Sequence, residues 1–325
     1  MADLKVSVIV TTYNHERFAA QAVESVLAQR TTFRYEVLLA DDCSTDRTLA
    51  ILRRYERQHP ALVRVIVSSE NRGDQGMRFF GHVLGLCRGE FIAWLDGDDF
   101  WTSPEKLQVQ ADFLEAHPDF SMCFHDVAQV DETGTRVLGR INAGDGLREP
   151  TLEDLLRYNF VGSCSPMFRR SVLCPLPEWY FRMPWGDWPA YLIAAQQGRI
   201  ACLDRAPMGV YRLHTGGAWS GLDMMRQQRL LVRFYGQLES VLEPRYHGRL
   251  RDQSYASCRV LAGACRERGD WSGALRWTLE ALRRRPLATL AAALLFVRRA
   301  VRRRPAPDSR DTVQLPVSRR DRKIS

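Results

Sequence analysis

The first 126 residues alternate short apolar runs with longer segments of helical periodicity, and this alternation restricts the fold more than any other feature. The runs predicted as strands cover residues 6–11, 37–40, 63–67, 91–95 and 121–124. The helices predicted between them cover residues 16–29, 44–58, 77–87 and 106–116, with Ser44 or Thr45 as the N-cap of the second. Strands this apolar, when they alternate with helices, form a mostly parallel sheet with helices on both faces. The sequence therefore predicts an α/β fold.

Polar residues follow four of these strands directly. They form the segments Thr11-Thr12-Tyr13-Asn14, Asp41-Asp42, Asp96-Gly97-Asp98-Asp99 and His125-Asp126. Ligands of such sheets bind beyond the C-terminal ends of the strands. We therefore expect one site that is built from several of these loops.

The loop after the fourth strand carries three carboxylates, Asp96, Asp98 and Asp99, within four positions. Carboxylates this close repel one another unless a divalent cation lies between them. Oxygen ligands suit Mg²⁺ or Mn²⁺, and the phosphates of a substrate would complete the coordination. The alternative is a solvated acidic turn. An EF-hand is excluded because Phe100 and Trp101 stand at its fifth and sixth positions.

The common phosphate-binding motifs are missing. No G-x-G-x-x-G follows the first strand, and no G-x-x-x-x-G-K-[ST] occurs, which argues against dinucleotide oxidoreduction and P-loop hydrolysis. Asp42 can accept a hydrogen bond from a base or ribose, or it can cap the following helix. Arg78 suits a diphosphate, with a solvated surface arginine as the alternative.

Two further residues are candidates for chemistry. Asp187 lies between Trp185 and Trp188, and a carboxylate among aromatic rings can have a raised pKa and act as a general base. His214 follows Val210-Tyr211-Arg212-Leu213, and a lone histidine is either structural or a ligand.

Six segments, in this order, resemble the motifs of family 2 glycosyltransferases with the GT-A fold. They are VSVIVTTYN at 6–14, LLADDCSTD at 38–46, NRGDQGMRFF at 71–80, GEFIAWLDGDDFW at 89–101, Gly-Asp-Trp at 186–188 and YRLHTGGAWS at 211–220. The segment 38–46 has Cys43 where the family has glycine, and Gly186 stands where the family has an acidic residue. The resemblance covers about residues 5–220 and implies the GT-A fold.

The resemblance implies a role for each matching position. Thr11, Tyr13, Asp42, Arg78 and Asp96 would bind the nucleotide of a nucleotide sugar, most simply a UDP-sugar. Asp98 and His214 would bind Mn²⁺ or Mg²⁺, and Asp187 would deprotonate the acceptor hydroxyl. Such an enzyme transfers a sugar in one displacement with inversion at the anomeric carbon. His125, Asp126 and Glu178 are the alternatives to Asp187 as the base.

The C-terminal third differs from the rest in composition. Residues 223–285 are predicted as helices, and residues 262–286 resemble one tetratricopeptide hairpin. The net charge of +8 belongs to the end of the chain, since residues 283–325 hold 13 arginines or lysines against 3 aspartates. We therefore expect a domain at 1–222, a helical extension at 223–304 and a disordered tail at 305–325.

These features also limit the partners and the location. The apolar run 287–297 between arginines favours an anionic membrane surface as the contact of residues 283–304, with a helix docked on the protein body as the alternative. The tail lacks interleaved aromatics, so no nucleic acid is expected as a partner. Scattered cysteines and the lack of a signal-peptide pattern favour a cytoplasmic enzyme at the inner face of the membrane. Its acceptor would be a saccharide or a lipid-linked molecule. The competing hypotheses are an inactive relative that acts as an adaptor and a nucleotidyltransferase.

Overall fold

A seven-stranded sheet forms the centre of the protein, whose computed structural model describes residues 4–71, 76–141, 148–203 and 205–290. The spatial order of its strands is β10-β6-β9-β4-β1-β2-β3. The strands are β1 (Leu4–Thr12), β2 (Arg34–Asp41), β3 (Val63–Val67), β4 (Phe91–Asp96), β6 (Phe120–His125), β9 (Met167–Arg169) and β10 (Arg199–Leu203). All neighbours are parallel except β9, which is antiparallel to both β4 and β6. The predicted α/β class and mostly parallel sheet are confirmed.

A second sheet of four short strands lies at the C-terminal edge of the first. Its order is β5-β11-β7-β8, and it contains β5 (Phe100–Trp101), β7 (Val127–Val130), β8 (Val137–Ile141) and β11 (Gly209–Arg212). Strand β11 is antiparallel to β5 and parallel to β7. Because β5 directly follows the acidic loop, this sheet fastens that loop to the segment that leads to His214.

Helices cover both faces of the large sheet. Their bounds are α1 (Ala19–Leu27), α2 (Thr48–Gln58), α3 (Met77–Gly85), α4 (Lys106–Ala116), α5 (Leu152–Leu155), α6 (Arg170–Leu173) and α7 (Asp187–Gln197), with a 3₁₀ turn at Tyr180–Arg182. The strand alternation divides the core in two: Val8 and Val10 face one cluster, while Ile9 faces the other.

The start of α2 differs from the prediction that Ser44 or Thr45 caps it. The helix begins later, with Arg47 at the N-cap and no capping hydrogen bond from that side chain. Asp46 takes over the function, since its carboxylate accepts the backbone N–H of Thr48 at 2.9 Å. The Ser44 hydroxyl donates instead to Asp41 at 2.6 Å, so this residue belongs to the site loop.

Three long helices follow the sheets: α8 (Met224–Leu238), α9 (Pro244–Glu267) and α10 (Trp271–Arg284). Helices α9 and α10 form a helical hairpin, and the two share a small core with α8. Within the described ranges, no helix combines the length and the apolar character that crossing a bilayer requires. Most of the apolar run 287–297 and all of the predicted disordered tail lie outside the described residues.

Candidate active site

The ends of β1 and β4 bring the first two predicted residues together. Thr11 and Asp96 are register partners on these parallel strands, and the Thr11 hydroxyl donates to the Asp96 carboxylate at 2.7 Å. Gly97 then allows a close turn, because a Cβ atom there would lie 2.5 Å from a Thr12 methyl carbon and 2.9 Å from His15 Nδ1. Burial, with the negative charge of Asp98 as a second cause, raises the pKa of Asp96.

Asp98 is the carboxylate around which the acidic loop is arranged. Its Oδ2 atom lies 2.9 Å from His214 Nε2 and 3.7 Å from His15 Nε2. Burial alone would raise the pKa of Asp98, but the hydrogen bond with His214 and the charges of the two imidazoles lower it. Asp98 is therefore held as an anion between the imidazole rings of His214 and His15.

Asp99 has a different environment from its neighbour. It is 2% exposed, its Oδ1 atom accepts the Arg212 backbone N–H at 2.8 Å, and its Oδ2 atom is buried and has no hydrogen-bond partner among the residues that the structure describes. Burial, followed by the charges of Asp98 and Asp96, raises the pKa of Asp99 well above its ordinary range. Asp99 thus anchors β11 under the site.

Arg212 is a residue of the site that sequence reasoning missed. The guanidinium donates to the carbonyl of Asp98 at 2.8 Å, to the carbonyl of Glu132 at 2.8 Å and to Gln21 Oε1 at 2.7 Å. Arg212 is 3% exposed and holds the backbone of the acidic loop against β11. No local pattern indicates these contacts, because their partners lie 80 to 191 positions away in the sequence.

The loops after β1 and β2 carry residues that the family resemblance predicts to bind the nucleotide. Asp41 is buried and accepts hydrogen bonds from Thr12 and from Ser44, so it is structural. Asp42 is partly exposed, with Gly76 close above its carboxylate. Tyr13 is 45% exposed at the same edge. Of the two adjacent carboxylates, Asp42 is the more exposed.

Arg78 lies in the first turn of α3, on another side of the site. Its guanidinium forms an ion pair with Glu178 at 3.1 Å and lies 5.4 Å from the centre of the Phe181 ring. Its side chain is 51% exposed, so it is accessible to an anion. The pairing also engages Glu178, one of the alternative bases.

Asp187 is the first residue of α7. Its Oδ2 atom accepts a hydrogen bond from Asn159 Nδ2 at 3.2 Å, and the residue is partly exposed. Burial, with the charge of Asp96 as a further cause, raises the pKa of Asp187 to about 6. Because the charge of Asp96 acts on Asp187, the two carboxylates share one electrostatic environment. A carboxylate with this pKa can accept a proton near neutral pH.

Gly186 departs from the motif for a steric reason. A Cβ atom at this position would lie 2.7 Å from the Tyr180 hydroxyl and 3.1 Å from Met77 Sδ. Tyr180 is 1% exposed and Met77 is 3% exposed, so neither can move aside freely. The packing around position 186 therefore accommodates glycine but not the side chain of an acidic residue.

Of the two remaining alternative bases, His125 is buried and Asp126 is partly exposed. His125 is 1% exposed, its Nδ1 atom is engaged with the carbonyl of Asp126, and burial lowers the pKa of the imidazole to about 3. It is therefore neutral and enclosed. Asp126 is partly exposed and lies near Cys202, whose Sγ atom is 3.9 Å from its carboxylate.

The donor set at Asp98 fits a divalent cation that is shared with a substrate. Within the part of the chain that the structure describes, no three acidic, histidine or cysteine side chains are gathered as a complete metal cluster. Asp98 and His214 nevertheless offer one carboxylate and one imidazole at the same point. Mg²⁺ is commonly held by one or two carboxylates and the phosphates of a substrate, so an incomplete protein set matches this use.

Comparisons with known proteins identify the family of the chain. Residues 7–174 match the model of glycosyl transferase family 2. A Mycobacterium tuberculosis protein that is named only as uncharacterized is 34% identical over 274 residues, which cover 82% of this chain and 76% of the relative.

Two solved structures show the same fold. Staphylococcus aureus TarS in complex with UDP-GlcNAc has a TM-score of 0.57 and 17% identity, over 87% of this chain and 92% of that one. The mannosyltransferase PcManGT from Pyrobaculum calidifontis, in complex with GDP-Man and Mn²⁺, has a TM-score of 0.57 and 19% identity, over 93% and 83%. The chain has the GT-A fold of these structures, and it belongs to glycosyl transferase family 2, the nucleotide-sugar glycosyltransferases.

Proposed function

We propose that the chain is an inverting, metal-dependent glycosyltransferase that moves a sugar from a nucleoside-diphosphate sugar to a hydroxyl group. The observation that carries the proposal is the contact between His214 and Asp98 of the acidic loop, at 2.9 Å. Asp96 lies in the same loop as Asp98. Asp42, which follows β2, and Arg78 and Asp187, at the starts of α3 and α7, would complete the site around the pair of Asp98 and His214. A UDP-sugar is the proposed donor, and the UDP-GlcNAc bound to TarS supports this choice.

The residues at the strand ends would bind the donor. Asp42 and Tyr13 lie where the base would bind, and the Thr11–Asp96 pair would contact the ribose. Arg78 would pair with the diphosphate and exchange Glu178 for the phosphate oxygens. Asp98 and His214 would hold Mn²⁺ or Mg²⁺, which supplies positive charge to the departing diphosphate. The Mn²⁺ in the PcManGT complex supports the cation.

The chemical step would be one displacement. Asp187 accepts the proton of the acceptor hydroxyl as the oxygen forms its bond to the anomeric carbon. The bond from that carbon to the diphosphate oxygen breaks, and the electron pair leaves with the diphosphate. Attack on the face opposite the leaving group inverts the configuration. Asn159 orients Asp187 through the hydrogen bond to Oδ2.

We further propose a saccharide or lipid-linked acceptor and a role in polysaccharide or glycolipid synthesis. The division of the chain at residue 222 is also a proposal, supported by the start of α8 at Met224 and by the small core that α10 shares with α8 and α9. Helices α8 and α9 also pack on the body, since Phe234, Leu238 and Leu250 lie in the core of the large sheet. A location on the cytoplasmic side of a membrane, with residues 283–304 at the inner face, rests on the arginines of that segment.

The test is nucleoside diphosphate release from a panel of UDP-, GDP- and dTDP-sugars, with Mn²⁺, with Mg²⁺ and with EDTA. Slow hydrolysis is sufficient because water serves as a weak acceptor. Release from one donor that stops in EDTA supports the proposal. A donor that raises the melting temperature only with metal, without turnover, shows binding but no chemistry. If no donor is bound or released, the function is wrong and the adaptor hypothesis gains.

A further inference from the structure

Helix α10 carries an apolar face that the described part of the chain leaves uncovered. Trp271, Leu275 and Leu279 are 69%, 61% and 49% exposed. Their spacing of four residues places them on one side of the helix, and we call these three residues the α10 stripe. The opposite side packs on α9 through Ala274, Trp277 and Ala281. The hairpin therefore already has its core, and the stripe contributes nothing to it.

Two arginines, Arg276 and Arg283, are exposed at the margin of the stripe, and its acidic neighbours are Asp270 and Glu280. Within the described residues, Arg283 makes an exposed ion pair with Glu280 at 3.4 Å. Such pairs are weak, so the arginine remains available to another anion. Further along the chain, residues 283–304 contain eight arginines and no acidic residue.

Two other occupants of the stripe are less consistent with these observations. A second copy of the chain would bring the same arginines together and repel. The next segment of the chain does not cover the stripe in its described part, since Leu287 and Leu290 are themselves 83% and 54% exposed. An apolar stripe with arginines at its margin suits the boundary between the headgroups and the acyl chains of an anionic membrane.

We propose that the α10 stripe is a docking surface for an anionic lipid bilayer. Trp271, Leu275 and Leu279 enter the headgroup boundary, while Arg276 and Arg283 pair with lipid phosphates. This inference deepens the proposed placement at a membrane and rests on it, but it assigns the contact to a folded helix of the hairpin. Docking through α10 would hold the enzyme at the surface where a lipid-linked acceptor is found.

The experiment is sedimentation of the full chain with vesicles of phosphatidylglycerol and phosphatidylcholine, and with vesicles of phosphatidylcholine alone. No donor is added, so the result is independent of sugar transfer. The wild type is expected to bind the anionic vesicles and to lose binding between about 0.1 M and about 1 M salt, where the screening length falls from about 10 Å to about 3 Å.

The stripe is tested by the triple variant Trp271→Ser, Leu275→Ser and Leu279→Ser, with Val137→Ser and Leu138→Ser as the matched control. Val137 and Leu138 are 67% and 48% exposed on β8, so the control removes exposed apolar side chains away from α10. The triple variant is expected to bind anionic vesicles about ten-fold more weakly, and the control variant as the wild type does. Melting temperatures of both variants show whether they are folded.

A second readout keeps the proposal testable if the triple variant does not fold. Brominated phosphatidylcholine in the anionic vesicles should quench part of the wild-type tryptophan fluorescence, and Trp271→Phe should remove that part. Equal vesicle binding by a folded triple variant would overturn the inference and leave only residues 283–304 as the contact. If the wild type does not bind the anionic vesicles, both the inference about the α10 stripe and the proposed membrane contact of residues 283–304 are wrong. A wild-type dimer that the triple variant abolishes would assign the stripe to a second copy.

Discussion

Replacement of Asp187 by asparagine removes the proposed base and leaves the other residues of the site unchanged. The amide has nearly the shape of the carboxylate and can still accept the hydrogen bond from Asn159, but it cannot take a proton. General-base catalysis contributes about 10²- to 10⁴-fold, or about 3 to 5 kcal/mol at 1.36 kcal/mol per tenfold. Asp187→Asn should therefore lower kcat by that factor and leave the affinity for the donor unchanged.

The raised pKa of Asp187 gives the same prediction a pH dependence. The wild-type rate should be constant above about pH 7 and fall tenfold per pH unit below about 6, because only the carboxylate accepts a proton. An aspartate at its ordinary pKa of 3.8 would keep the rate constant to about pH 4.

Stability should move in the opposite direction from activity. A carboxyl group whose pKa is higher in the folded state binds more protons there than when unfolded, so its contribution to stability falls as the pH rises from about 4 to about 6. The neutral amide avoids this loss, and Asp187→Asn should melt no lower than the wild type at pH 7.

The assay is nucleoside diphosphate release at a series of pH values, with Asp126→Asn as the control. Asp126 is the partly exposed alternative that this control removes. If Asp187→Asn keeps wild-type kcat, or if Asp126→Asn loses it instead, the assignment of the base is wrong.

Three further changes test the packing of the site. Arg212→Lys cannot reproduce the three side-chain hydrogen bonds of the guanidinium and should lower the free energy of unfolding by about 2 to 4 kcal/mol in urea denaturation; an unchanged midpoint contradicts the role given to it. Gly186→Glu should destabilise by about 1 to 3 kcal/mol because its Cβ meets Tyr180, and the added Tyr180→Phe should recover part of that loss; a stable Gly186→Glu refutes the steric explanation. Cys43 has a φ of 62°, a backbone conformation that favours glycine. Cys43→Gly should therefore raise the free energy of unfolding by about 1 kcal/mol, and with it the urea midpoint. A lower midpoint would show that the thiol packs favourably.

The sequence predicts five of the six parallel strands of the large sheet and misses β10 (Arg199–Leu203). Strand β3 has the predicted bounds and β4 is one residue longer than predicted, whereas β2 covers Arg34–Asp41 instead of the predicted residues 37–40. Strand β9 was not predicted, since its three residues, Met167–Arg169, are too few to show a period. The four strands of the second sheet are short and partly exposed, so their sequences also show little alternation of apolar and polar residues.

The candidate site divides in the same way. Motifs that follow strong strands identify Asp42, Asp96 and Asp98, because strand ends are visible in the pattern. The contacts that Arg212 and Asn159 make come from segments distant in sequence, and pairing across such distances leaves no local pattern. The same holds for Gly186, whose neighbours Tyr180 and Met77 become evident only in the packed structure.

The central claim is that Asp98 and His214 bind the cation that holds the donor, and binding of Mn²⁺ tests it most directly. Free Mn²⁺ is measured by electron paramagnetic resonance in the presence of UDP and, separately, of GDP, for the wild type and for Asp98→Ala. The measurement needs neither the sugar nor the acceptor. We predict that the wild type binds Mn²⁺ together with one of the two nucleotides and that Asp98→Ala loses this binding. Equal Mn²⁺ affinity in the wild type and in a folded Asp98→Ala would contradict the account.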